Sequence, residues 1–210
     1  MRTLLLIFIL FASSVHAQCL KADILFVLDW SGSEDSNRVY IPMAAYDFAK
    51  NLNVGPSTVR VGVIPFNSAP IPQRCLVPSG DKELVEKLLL SMITMWPNGS
   101  TNISSSMALA SVYFEASKRE RGEDVPRFLF LISDGNEEII YRAQTLALAD
   151  RMKVDGTRIW CISTPNAFGL YNGMERRHLM DISSGPREGY YVEQYYAHIQ
   201  EELMRLELCP

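Results

Sequence analysis

The 210-residue chain contains no Cys-x-x-Cys and no run of basic residues. Past its first dozen positions it has no apolar stretch of membrane-spanning length. The first absence removes the usual zinc and dithiol-redox frameworks. The second, with a net charge of −4, argues against nucleic acid and anionic membrane as partners. The third leaves no spanning helix in this sequence, since one needs about 20 consecutive apolar residues. Gly-x-Ser-x-Gly, a Walker loop, Gly-x-Gly-x-x-Gly and His-Glu-x-x-His are all missing. Histidine is scarce. Past the first residues only His178 and His198 remain, neither beside a Ser or Cys motif, and both read as helix-surface residues. An enzyme reading therefore lacks a base.

What is present begins with a leader. Arg2 gives a positive start, Leu4 to Ala12 is a short apolar stretch, and Val15-His16-Ala17 offers small residues at a cleavage site. Residues 1–17 read as a signal peptide and 18–210 as one secreted domain. Removing Arg2 takes the net charge from −4 to −5. A hydrophobic share of 48% argues for a folded globule rather than disorder. The length suits one α/β domain with a sizeable core. Four cysteines follow the leader: Cys19, Cys75, Cys161 and Cys209. Export makes disulfides permissible.

Apolar runs alternate with helical patterns. Strands are predicted over 23–29, 58–66, 127–133, 157–163 and 189–192. Pro70 and Pro72 demote the stretch 73–77 to an edge strand. Ile41, Ala45, Phe48 and Leu52 recur with a helical period. Pro42 is tolerable only in a first turn, so that helix starts near 37–40. Further helices are predicted over 81–92, 103–119, 139–154, 174–183 and 194–208. Such alternation gives a doubly wound, mostly parallel six-stranded sheet with one antiparallel edge strand and helices on both faces. Ligands of such sheets bind outside the carboxyl ends of the strands.

That edge carries the informative residues. Asp29, Ser31 and Ser33 spell Asp-x-Ser-x-Ser directly after the apolar run Ile24-Leu25-Phe26-Val27-Leu28. Gly99-Ser100-Thr101-Asn102 opens a helical stretch, and Asp134-Gly135 closes the run Phe128-Leu129-Phe130-Leu131-Ile132. Hard oxygen ligands of this kind suit Mg²⁺ or Mn²⁺ rather than a soft metal. In order and context the set resembles the metal-ion-dependent adhesion site of the von Willebrand factor type A family, which includes the inserted domains of integrins. The resemblance covers 19–209. It extends to Asp181-Ile182-Ser183-Ser184 and Tyr190-Tyr191-Val192-Glu193 near the end of the chain.

The resemblance implies that Ser31, Ser33 and Thr101 ligate Mg²⁺ or Mn²⁺ through hydroxyls, while Asp29 and Asp134 act largely through water. Few direct anionic ligands leave the ion electrophilic, so a carboxylate of a partner protein completes its coordination. Two positions depart from the usual pattern. Trp30 stands where a small residue is common, and either shades the ion or packs on a neighbouring loop. Ser100 stands where a second glycine is common. Asn98 and Asn102 head N-glycosylation sequons that flank Thr101. Glu137 and Glu138 read as a solvated loop. Tyr190, Tyr191, Tyr195 and Tyr196 read as packing along a strand and a helix start.

Two functions stay open. One is a secreted recognition module that binds an extracellular protein, such as a matrix protein, through an acidic residue on that partner. The other is a structural matrix or filament subunit that self-associates without metal. The resemblance also implies a Cys19–Cys209 disulfide closing the domain. With the family's usual strand order, Cys75 and Cys161 lie four inter-strand steps apart, roughly 19 Å, far beyond the 7 Å or so a disulfide tolerates. Cys161 is then a buried free thiol, and Cys75 is either free or bonded to another chain.

Overall fold

A computed structural model of the chain describes residues 21–166, 168–185 and, as backbone, 190–192. The leader, the Cys19–Cys209 pair, His198, the final helix and the side chains of the four clustered tyrosines lie outside the described residues.

The described elements run β1 (Ala22–Asp29), α1 (Tyr40–Lys50), β2 (Val59–Phe66), β3 (Leu76–Ser79), α2 (Lys82–Met92) and α3 (Ile103–Arg121). They continue with β4 (Arg127–Ser133), α4 (Ile139–Val154), β5 (Thr157–Ser163), α5 (Gly173–Ile182) and β6 (Tyr190–Val192). Six strands form one sheet in the order β3-β2-β1-β4-β5-β6. Every neighbouring pair is parallel except β2 with β3, which is antiparallel. The predicted architecture holds.

Strand β1 explains the layering. All eight of its residues are buried, as a central parallel strand requires. Its side chains alternate between two cores. Ile24, Phe26 and Leu28 face Ile41, Ala45 and Phe48 of α1 and Val85 and Leu89 of α2. Leu25 and Val27 face Ile103, Met107 and Phe114 of α3, Leu148 and Met152 of α4, and Leu179 and Ile182 of α5. Phe26, Phe48, Phe130 and Trp160 form an aromatic column in the first core, with neighbouring centroids 4.7–5.7 Å apart.

The edge strand departs most from the sequence expectation, while α1 starts at Tyr40, inside the expected 37–40. The edge strand begins at Leu76 because Pro72 starts a 3₁₀ turn, Pro72–Arg74, that delays pairing. A second 3₁₀ turn, Gly32–Asn37, fills the link between β1 and α1. Pro42 sits in the first turn of α1, as its missing N–H demands.

The amino-terminal end of the sheet is pinned by charge. Asp23 and Arg121 form an ion pair with side chains 1% and 5% exposed. Arg121 also donates to the carbonyls of Ala22 at 3.0 Å and Thr58 at 2.6 Å, tying α3 to β1 and to the start of β2. The opposite, carboxyl edge is left to loops.

Candidate metal centre

Asp29 ends β1 in the middle of the sheet, and the turn that follows is fastened at once. Asp29 Oδ1 accepts the Ser31 N–H at 2.9 Å, so the carboxylate shapes its own loop. Asp29 Oδ2 accepts the Ser133 hydroxyl from β4 at 2.6 Å. The Trp30 N–H donates to the Phe66 carbonyl at 2.6 Å. The Ser31 and Ser33 hydroxyls lie 3.2 Å apart. Trp30 itself is 1% exposed and belongs to the core beneath the loop. Its bulk packs inward, so it does not shade the site.

The loop before α3 is laced to this turn. Gly32 N–H donates to the Gly99 carbonyl at 3.0 Å, and Asn98 N–H to the Trp30 carbonyl at 3.1 Å. Asn102 caps α3, its Oδ1 accepting the Ser105 N–H at 2.9 Å. Thr101, one residue earlier, is buried, and its carbonyl accepts the Glu138 N–H at 3.4 Å. Asn98 is exposed, whereas Asn102 is half-buried.

Strand β4 brings in Asp134. The chain then turns at Gly135, φ +78°. A side chain there would meet the Glu175 carbonyl at 2.8 Å and Leu179 at 2.9 Å, so only glycine fits. Asp134 Oδ1 accepts the Asn136 N–H at 2.9 Å. Its Oδ2 is buried without a hydrogen-bond partner. The structure thus brings Asp29, Ser31, Ser33 and Asp134 into one cluster, with Thr101 on a loop bonded to both flanking turns.

A sixth residue was missed in the sequence. Glu34 is fully buried, and one carboxylate oxygen each from Asp29, Glu34 and Asp134 lie within 4.8 Å of one another. Glu34 Oε1 accepts the Asp134 N–H and the Thr164 hydroxyl, both at 2.7 Å. Its Oε2 accepts from Asn37 at 2.6 Å. Among the described residues, no Lys, Arg or His pairs with any of the three carboxylates.

The protonation state follows from that crowding. Burial, with the Asp134 charge added, pushes Asp29 up to about 7 despite the opposing Ser133 and Ser31 hydrogen bonds. Burial and then the charges of Asp29 and Asp134 hold Glu34 well above the usual carboxylate range. Asp134 is raised by burial. An orphaned buried oxygen among carboxylates and hydroxyls fits a small, hard dication, which would replace the missing donors.

Two further expectations are corrected. Glu137 is not solvated and His178 is not on the surface. Glu137 is 1% exposed and accepts the Ser104 N–H at 2.9 Å and the Thr145 hydroxyl at 2.8 Å. His178 Nε2 lies 2.9 Å from Glu137 Oε2. The turn at Gly135 sends the chain back inward, and Glu137 braces the β4–α4 loop against α3 and α5. One signal for His178 was readable: it shares a helix face with Ile182.

The sequence model of the von Willebrand factor type A domain matches residues 23–203. The mouse collagen alpha-6(VI) chain is 27% identical over 197 residues, 90% of this chain and 8% of that protein. Mouse matrilin-2 is 26% identical over 120 residues, 56% of this chain and 13% of that protein. The chain spans between 7% and 19% of the length of the curated relatives it matches. Among solved structures, manganese-loaded TRAP protein of Plasmodium vivax has a TM-score of 0.68 at 18% identity, over 85% of this chain and 72% of that one. Proximal thread matrix protein 1 of the mussel byssus, with zinc occupying its MIDAS motif, has a TM-score of 0.64 at 20% identity. That likeness covers 90% of this chain and 46% of the mussel chain. With its family match, its sheet order and its carboxyl-edge site together, the chain belongs to the von Willebrand factor type A domain family.

Proposed function

We propose that the chain is a secreted recognition module that binds an extracellular protein through a divalent cation, Mg²⁺ or Mn²⁺. Ser31, Ser33 and Thr101 would hold the ion through hydroxyls, with Asp29 and Asp134 acting largely through water. The observation that carries this reading is the buried Asp134 Oδ2 without a partner, in a cluster of hard oxygen donors. Manganese in the Plasmodium protein and zinc in the MIDAS motif of the mussel protein support a divalent cation on this fold. Collagen and matrilin relatives support an extracellular matrix setting, with residues 1–17 as the export signal.

The surrounding face suits protein rather than small-molecule binding. Trp96, Ile139, Ile140, Phe168, Leu170 and Met174 are exposed on the loops and helix starts that ring the carboxyl edge. Apolar side chains around a cation offer area, and the cation offers an anchor for a partner's carboxylate. The hydroxyl–carboxylate pair of Ser133 and Asp29 is fully buried and fastens the turn, and no catalytic role is proposed. Asn98 is the sequon whose exposure suits a glycan. The same apolar rim favours a second reading, a matrix subunit that self-associates without the ion.

Thermal unfolding separates these readings. Millimolar Mg²⁺ or Mn²⁺ should raise Tm over that in chelator, by about 2.7 kcal/mol of stability at a hundredfold excess over Kd. Asp134→Ala should keep the fold and lose the response. A melting curve indifferent to Mg²⁺, Mn²⁺ and chelator would remove the cation reading. Metal-independent oligomers in sedimentation would then favour the subunit.

A further inference from the structure

We propose that Glu34 is a third acidic member of the cation site, acting through its charge rather than as a direct ligand, and that it makes the site retain a divalent cation without help from a partner. The inference rests on the cation reading and goes beyond its residue set. Glu34 is fully buried, within 4.8 Å of the carboxylates of Asp29 and Asp134. An isolated buried carboxylate is costly, and three together are more so.

The hydrogen bonds around Glu34 hold both of its carboxylate oxygens as acceptors. The Asp134 N–H on Oε1 can only donate. The Asn37 amide nitrogen also donates to the Pro165 carbonyl at 2.7 Å, which fixes its orientation and makes it a donor to Glu34 Oε2. Both carboxylate oxygens thus accept from these fixed donors, and the Thr164 hydroxyl on Oε1 is the one partner that can either give or accept a proton. These same bonds leave Glu34 too committed to enter an inner coordination sphere. They leave its charge in place beside the orphaned Asp134 Oδ2.

Among the described residues no Lys, Arg or His pairs with the cluster, so a bound cation would supply the compensating charge of its ionised carboxylates. Cation affinity rises with the number of carboxylates around a site. At about 5 Å, in a medium of intermediate dielectric, one added negative charge is worth on the order of tenfold or more in affinity.

The test is calorimetric titration of Mg²⁺ and Mn²⁺ into the full chain and into two neutral variants, Glu34→Gln and Glu34→Met. The methionine variant presents no amide to clash with Asn37, so it reads the site if the glutamine variant folds poorly. Folding is checked by melting in chelator, where loss of a buried charge should leave Tm unchanged or higher. The expected result is metal binding weakened about tenfold or more in the folded neutral variants. Equal affinities in wild type and variants would overturn the role of Glu34 while leaving the cation site standing. A wild-type chain that takes up neither metal would overturn both.

Discussion

Asp29 shows how one buried carboxyl ties stability to pH. Its folded value of about 7 lies above the ordinary 3.8. A raised acid contributes stability that is complete below the unfolded value and lost as pH rises through the folded one. In chelator, Tm should therefore fall as pH rises from about 4 to above 7. Saturating Mg²⁺ should flatten that fall, since binding requires the ionised groups and releases protons. Fluorimetry across pH with and without metal checks the sign; a Tm that rises with pH in chelator would contradict it. Asp23 gives the opposite kind of charge effect. Asp23→Ala leaves Arg121 buried without its carboxylate and should cost about 3–5 kcal/mol, read by urea unfolding. The site residues were legible in the sequence to unequal degrees. Asp29, Ser31 and Ser33 are contiguous and follow an apolar run, so local pattern was enough. Glu34 was not, because its donors Asp134 and Thr164 arrive from strands 100 and 130 residues away. In sequence it is one more acid in a polar loop. Glu137 was hidden for the same reason: Ser104 and His178 come from other helices.

At the level of elements, the buried strands were readable because they are uniformly apolar, and β4, α4 and β5 fall where the pattern places them. The edge strand was misplaced by local proline chemistry, since Pro72 could as well open a turn as a strand. The cap of α3 offers a test at this scale. Asn102→Ala removes the bond to the Ser105 N–H and should cost about 1 kcal/mol. Because Thr101 is fixed just ahead of that cap, Mg²⁺ binding should weaken in parallel, by calorimetry. A loss of stability with unchanged metal affinity would detach Thr101 from the site. Helix α5 makes a related point: His178 and Leu179 seat it beside Gly135, so the loop carrying Asp134 is shaped partly by a helix that supplies no ligand.

Across the whole molecule, two thiols report on integrity. Cys75 and Cys161 are both free, just before β3 and on β5, with three strands between those two elements. Burial pushes the Cys75 thiol up to about 11 and raises Cys161 further. In a native chain Cys161 should resist a thiol reagent until unfolding, and Cys75 should react slowly. Rapid labelling of Cys161 under native conditions would argue that β5 opens. The sheet order also has a mechanical side. Strand β1 is bonded along its length to β2, from Ala22–Val59 to Asp29–Phe66, and to β4, from Asp23–Arg127 to Leu28–Ile132. A tensile load entering at Ala22 runs along the strand, so both ladders carry it in shear and must rupture together. A load on β3 would instead peel a short edge strand one bond at a time. If the molecule bears tension in a matrix, its central strand is the last to yield.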